Sequence, residues 1–215
     1  MHKKVPLSNL WALGATTAAV FIPPKQWFVV GGFDGNIKVC SDETMQEVKT
    51  FSAHDQPIIS VDVHPSEPFV LSASFCDETV KMWNWEMDWE CVRTFDVKAF
   101  QVKFNPKDAD YFACATYNGV KVWNIASPGS DDLTFSFGNS SLLCLDYLPR
   151  GDELYLITGN YDGLVEIWDW QSRSCLKTLK EHTDSVRTIC AHPDLPLFIT
   201  GSADNTVCLW NSSTF

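Results

Sequence analysis

Positive charge is scarce in this chain of 215 residues: 16 Lys and Arg stand against 27 Asp and Glu, for a formal net charge of -11. Binding a phosphate backbone needs a Lys/Arg-rich face, so nucleic acid is not an expected partner. An acidic surface favours solubility and suits basic peptides. Among the eight cysteines no two stand three residues apart, which removes the spacing of a zinc knuckle. Most lie in apolar runs such as Ile189-Cys190-Ala191 and Phe112-Ala113-Cys114, where cysteine acts as a small hydrophobe. Reduced thiols in a cytosolic compartment are the expectation. No run approaches the roughly 20 apolar residues of a membrane span. Met1-His2-Lys3-Lys4 and the uncharged run to Ile22 imitate a secretory leader, but Ser8, Asn9, Gly14, Thr16 and Thr17 interrupt its apolar part. A Gly-rich phosphate loop, a Ser/His/Asp arrangement and HxxxH metal spacing are all missing. Asp131-Asp132 follows Ser127-Pro128-Gly129-Ser130 and reads as a solvated linker. No catalytic residue, metal or cofactor is expected.

What is present is repetition. Residues 182–210 read as three short apolar strands, 186–191, 197–201 and 206–210, joined by the turn signals His192-Pro193-Asp194 and Ala203-Asp204-Asn205. So small a sheet cannot bury its faces alone and needs neighbours. Aligned on the end of the third strand, five copies appear, ending at Cys40, Trp83, Trp123, Trp168 and Trp210, with spacings of 43, 40, 45 and 42. Proline turns keep the same phase at Pro23-Pro24, His64-Pro65, Asn105-Pro106, Leu148-Pro149 and His192-Pro193. Third strands such as Val80-Lys81-Met82-Trp83 alternate as sheets do, and Asp34-Gly35, Asn118-Gly119 and Asp162-Gly163 suit tight hairpins. Outer fourth strands follow each copy, as at 91–95 and 175–179. A four-stranded unit repeating every 40 to 45 residues is the signature of a propeller blade. The expected fold is all-β: an irregular segment at 1–17, then five blades at 18–51, 52–95, 96–137, 138–179 and 180–215.

With Trp168-Asp169 and the Trp-Asn pairs at 83, 123 and 210, these units resemble WD40 repeats. In that family a His before the first strand, a Ser or Thr in the second, the turn Asp and the Trp form a buried hydrogen-bond relay. The resemblance implies these roles for His182, Thr200 or Ser202, Asp204 and Trp210, and for His54 and Trp83 with Asp77 nearby. The first copy has Cys40 in place of Trp, the third has no His near Val97-Lys98, and the fourth has Phe137-Gly138-Asn139 where His is expected. Those three blades should be looser.

Longer strings carry a closer resemblance: Lys25-Gln26-Trp27, the run 64–72, Asn105-Pro106-Lys107-Asp108, Tyr155-Leu156-Ile157-Thr158-Gly159, the run 167–175 and Trp210-Asn211-Ser212-Ser213-Thr214-Phe215. They are similar to the N-terminal propeller of the beta-prime subunit family of the coatomer (COPI) coat. The resemblance covers residues 21–215 and places the chain at the second through sixth of seven blades. It implies a vesicle-coat scaffold, cytoplasmic or peripheral on Golgi membranes or COPI vesicles, whose partners are coat subunits and cargo tails. Acidic top loops in that family capture dilysine tails and basic ones their carboxylate. The expected peptide contacts here are Asp55, Gln56, Asp77 and Asp184. Gln56 stands at an acidic position, the turn near Phe75-Cys76-Asp77 carries one extra residue, and Thr17 falls near a basic position; these departures count against retained dilysine capture.

Five blades of seven leave two apolar faces and their strand edges open, so an open arc, or completion by a partner, is expected. Residues 5–13 are a candidate for the fifth blade's outer strand. Trp85, Trp89 and Trp170 lie beyond the third strands, where burial between blades is the expectation and a partner-binding patch the alternative. A generic adaptor, such as a ubiquitin-ligase substrate receptor, is a second reading. Such receptors often carry Trp-Asp-x-Arg, whereas this chain has Trp168-Asp169-Trp170-Gln171. A degenerate copy without a retained role is a third.

Overall fold

The computed structural model describes residues 15–126 and 135–214. The candidate strand at 5–13, the leader-like start and the linker with Asp131-Asp132 lie outside those residues. Alternation of apolar and polar residues produces five antiparallel sheets, each built in chain order. The first holds β1 (Thr16–Ile22), β2 (Trp27–Gly32), β3 (Asn36–Ser41) and β4 (Glu47–Ser52). The second holds β5 (Ser60–Val63), β6 (Phe69–Ser74), β7 (Thr79–Asn84) and β8 (Glu90–Asp96). Next come β9 (Ala99–Phe104), β10 (Tyr111–Thr116), β11 (Gly119–Asn124) and β12 (Phe135–Phe137) in the third. The fourth is β13 (Leu142–Arg150), β14 (Glu153–Asn160), β15 (Val165–Asp169) and β16 (Cys175–Leu179), and the fifth β17 (Val186–Ala191), β18 (Leu197–Ser202) and β19 (Val207–Asn211). Strand β1 starts inside the segment expected to be irregular. Helical structure among the described residues is limited to three-residue 3-10 turns, and no helix is long and apolar enough to cross a membrane.

Two compact units divide the chain, residues 1–99 with the first two sheets and 100–215 with the other three. In the first, Val29, Ile37 and Val39 pack with Ile58, Val61, Val70 and Trp83 to form one buried core. In the second, Val122, Leu145, Leu156 and Trp168 share a core, and Ile157, Ile167, Val186 and Phe198 share another. Two glycines make the close packing possible. A Cβ on Gly31 would lie 2.6 Å from Ile58 Cγ2, and one on Gly159 would lie 2.6 Å from Val186 Cγ1. Ile58 and Val186 each follow a histidine by four positions, so the same step is built twice.

The hairpins between second and third strands need left-handed backbone. Gly35 (φ +78), Gly119 (φ +95) and Gly163 (φ +81) provide it, while Glu78 (φ 60) and Asn205 (φ 68) adopt it in the second and fifth sheets. Each of these glycines also lies against the loop leading into the next sheet. The Gly35 carbonyl accepts the Ala53 and His54 N–H groups at 3.1 and 3.0 Å, and a Cβ there would strike the His54 carbonyl. At Gly163 a Cβ would come 2.7 Å from the His182 carbonyl oxygen.

One turn expectation is corrected. Leu148-Pro149 does not form the turn of the fourth sheet; Pro149 continues β13 opposite Leu154, and the reversal falls at Gly151 and Asp152. Three of the other proline turns are held by the residue before the proline, while the Pro23-Pro24 turn has no such side-chain bond from Ile22. His64 Nδ1 accepts from Ser66 and Glu67, His192 Nδ1 from Asp194 and Leu195, and Asn105 Oδ1 from Lys107 and Asp108. The residue after each tryptophan has a matching task, since Asn84, Asn124, Asp169 and Asn211 each accept backbone N–H groups of the following turn. Trp89 is buried and packs near Trp27, Phe51 and Trp85, while Trp85 and Trp170 are half-buried.

Gly35→Ala is expected to lower stability by about 2–4 kcal/mol, because the left-handed backbone and the blocked approach both oppose a side chain. Gly151→Ala has the same backbone sign (φ +55) but nothing within 4 Å of the added carbon. It should cost only about 1 kcal/mol. Thermal unfolding of the two variants separates close approach from backbone strain.

Candidate functional site: two polar relays and the loops they fix

A buried polar chain forms in the second sheet. Trp83 Nε1 donates to Ser72 Oγ at 2.8 Å, Ser72 Oγ lies 2.7 Å from His54 Nε2, and His54 Nδ1 lies 3.0 Å from Asp77 Oδ2. The carboxylate can only accept, so Nδ1 carries the proton and Ser72 donates to Nε2. Each partner is thereby satisfied in one direction, from indole to carboxylate. Asp77 Oδ2 also accepts the Asp55 N–H at 3.1 Å, which ties the loop into the sheet to the hairpin tip.

The fifth sheet repeats this arrangement. Trp210 Nε1 donates to Thr200 Oγ1 at 2.8 Å, Thr200 Oγ1 lies 2.8 Å from His182 Nε2, and His182 Nδ1 lies 3.0 Å from Asp204 Oδ2. The Thr183 N–H binds Asp204 Oδ2 at 2.9 Å. Of the two hydroxyls considered, Thr200 stands between His and Trp. Ser202 does not join that chain; its hydroxyl donates to the Asp184 carbonyl at 2.8 Å and accepts the Asp204 N–H at 3.1 Å. Ser72 takes the place of Thr200 in the second sheet and was not singled out from the sequence. Its signal was available: it lies 18 residues after His54, as Thr200 does after His182.

Electrostatics follow from burial and bonding. Burial, then the Lys81 charge, pushes the His54 imidazole below its ordinary value, and Asp77 offsets this only in part. The shift favours the neutral imidazole that the relay requires. The Thr206 hydroxyl, followed by the Thr183 and Thr206 N–H groups, holds the Asp204 carboxyl well below the usual range. Burial lifts the Cys114 thiol well above its usual value and that of Cys144 to about 12, so both are inert packing groups. All eight cysteines are unpaired, and no group of three metal-binding side chains occurs among the described residues.

The remaining sheets change the relay. At the position facing the third strand two residues before its end, the first sheet has Val30 and the third has Cys114. The first sheet also ends in Cys40 instead of Trp. The fourth keeps half: Trp168 Nε1 donates to Thr158 Oγ1 at 3.0 Å. Ser140 stands 18 residues before Thr158, in the place of the histidine, and its hydroxyl bonds Glu166 at 3.3 Å. Burial raises the Glu166 carboxyl above its ordinary value.

Of the four residues expected to meet a peptide, Asp77 is committed, since its side chain is 12% exposed and bonded to His54. Asp55 and Gln56 are exposed beside it in the first unit. Asp184 is exposed in the second unit, and its carboxylate accepts the Ser185 N–H at 2.6 Å.

Five antiparallel sheets of three or four strands, two of them with complete Trp-anchored relays, define a class, and comparison with known families agrees. The WD domain, G-beta repeat family matches residues 45–84, 131–169 and 173–211, more than half of the chain. The chain belongs to the WD40-repeat family, and its sheets are WD40 propeller blades. Within that family it is similar to coatomer beta-prime subunits. It is 39% identical to coatomer subunit beta' of Rattus norvegicus over 238 aligned positions, covering 90% of this chain and 26% of that protein. It is 43% identical to coatomer subunit beta'-2 of Arabidopsis thaliana over 118 residues, 53% of this chain and 13% of that protein. The probable coatomer subunit beta' of Schizosaccharomyces pombe is 37% identical over 134 residues, 60% of this chain and 17% of that protein. The chain thus spans about a quarter or less of the length of these relatives. Such a fold presents loops for protein interaction.

Ser72→Ala strands both the Trp83 N–H and His54 Nε2, so a loss of about 2–3 kcal/mol is expected. The depressed His54 value gives a pH sign. The unfolded chain binds a proton near the ordinary value of about 6.5 while the folded chain resists it. This contribution is fully present above that pH and falls as pH drops below it. Thermal melts from pH 7.5 to 5.5 should show His54→Asn with a shallower decline than the parent chain.

Proposed function

We propose that the chain is a non-enzymatic WD40 scaffold of the COPI coat, acting in vesicle-mediated transport between Golgi and ER through protein contacts. It works in the cytoplasm and peripherally on Golgi or COPI vesicle membranes. Similarity to coatomer beta-prime subunits across 90% of the chain carries this reading. Coat subunits are the first partners; the acidic loops favour basic peptide tails and disfavour nucleic acid. Relays without an open catalytic face leave the histidines and aspartates structural.

Against the departures from the family's dilysine site, the exposed loop carboxylates still suit a lysine-bearing cargo tail. Asp55 supplies one carboxylate, while Gln56 offers only a neutral amide. Affinity purification of the chain from cells should enrich coat subunits over ubiquitin-ligase subunits and chaperones. An eluate dominated by either of the latter overturns the proposal. By calorimetry, a peptide ending in Lys-Lys-Ala-Ala should bind saturably, and Gln56→Glu should tighten it by about fivefold, the worth of one exposed charge pair. An unchanged affinity removes Gln56 from the contact set.

A further inference from the structure

The hairpin of the second sheet differs from the others in length and in what it holds. Pairing of β6 with β7 ends at Ser74 and Thr79, which leaves Phe75, Cys76, Asp77 and Glu78 in the turn. In the third sheet the corresponding pairing closes at Thr116 and Gly119, with two residues between. Within this turn Asp77 points inward to His54, as Asp204 does to His182, while Phe75 is half-buried and Glu78 exposed. Glu78 holds a left-handed backbone (φ 60) that a non-glycine residue adopts at a cost.

An ammonium group already sits between these two side chains. Lys98, in the link between β8 and β9, places Nζ 2.5 Å from Glu78 Oε1 and 5.1 Å from the centre of the Phe75 ring. A carboxylate beside an aromatic face is the chemistry that recognises a primary amine. Asp55, tied through its N–H to Asp77, adds an exposed carboxylate to the same loop pair. The Lys49–Asp88 pair in this unit has no such ring. The lysine is held at the surface: the Lys98 and Glu78 side chains remain 41% and 62% exposed. Exposed pairs of this kind are weak, so an outside amine can exchange with Lys98.

We propose that Phe75, Glu78 and Asp55 form a lysine-binding clasp that Lys98 fills within the chain, and that a lysine-bearing peptide docks by displacing it. This rests on the reading that the loops meet basic tails, and it adds a built-in competitor to that site. Removing the competitor should raise apparent affinity by the inverse of the fraction of time the clasp stands free. An exposed ion pair with a cation–π contact corresponds to about three- to tenfold.

The test is calorimetry of a Lys-Lys-Ala-Ala peptide on the parent chain, Lys98→Gln, and Lys98→Gln combined with Glu78→Gln, with melting temperatures confirming that all three fold. Lys98→Gln should bind three- to tenfold tighter than the parent, and the double variant should lose that gain. Binding seen only after Lys98→Gln also supports the clasp. Equal affinity for parent and Lys98→Gln overturns the clasp while leaving the tail-binding reading intact. No binding to any of the three overturns both. A gain that survives Glu78→Gln also overturns it, because the carboxylate would then not hold the incoming amine.

Discussion

The hairpin tip pressed against the next lead-in loop is the constraint on which each unit is built. Gly35 and Gly163 lie so close to the residues around His54 and His182 that a side chain has no room. That approach fixes where the histidine enters, and four residues later Ile58 or Val186 fills the space left by Gly31 or Gly159. Only then can the imidazole meet a hydroxyl on the second strand and, through it, the indole on the third. The family match at 45–84 reflects this order, since it begins at β4 of one sheet and runs through β5, β6 and β7 of the next. The sequence repeat is offset from the sheet by one strand, and adjacent sheets are joined by the repeat itself.

Two relays are complete, and the other three sheets have lost theirs to different extents. An unpaired buried indole N–H or imidazole nitrogen costs more than a made hydrogen bond returns. Losing the histidine therefore favours losing its partners too. Val30 in the first sheet and Cys114 in the third are apolar or weakly polar where Ser72 and Thr200 are hydroxyls, and Cys40 stands where the first sheet would have its indole. The fourth sheet has a different solution, in which Thr158 keeps the indole and Ser140 turns to Glu166. Such sheets have traded polar specificity for packing. Val39, Val122 and Leu156 are fully buried beside these altered positions.

Much of this was legible in the chain because it depends on spacing. Trp-ended third strands, Asp-Gly and Asn-Gly turns and the two histidines repeat with a fixed phase, and phase survives in one dimension. The role of Ser72 was hidden by the extra residue at Cys76, which shifts the count from tryptophan but not the count from histidine. Pro149 was misread because proline signals a turn locally, while β13 extends by pairing with β14 beyond it. The tasks of His64 and His192 as acceptors, and of Asn84 and Asp169 after tryptophan, are choices of side-chain direction that composition does not encode. The position of Lys98 over Phe75 depends on two loops meeting, which no local pattern specifies.

The carboxylates divide into two kinds, and the division separates stability from interaction. Asp77 and Asp204 turn inward, accept from histidine and backbone, and hold the lead-in loops; their charge is spent on the fold. Glu78 follows Asp77 directly, Asp55 and Asp184 follow His54 and His182 by one and two residues, and all three face water. Because the inward members fix the backbone, the outward ones are displayed on a frame that does not need their charge. Exposed positions of this sort can change sign or size at little energetic cost, whereas exchange of an inward one would unfold the relay. Gln56, neutral at an outward position, leaves the His54 relay whole. Charge at the loop surface is thus free to be tuned to a partner while the sheets beneath stay the same.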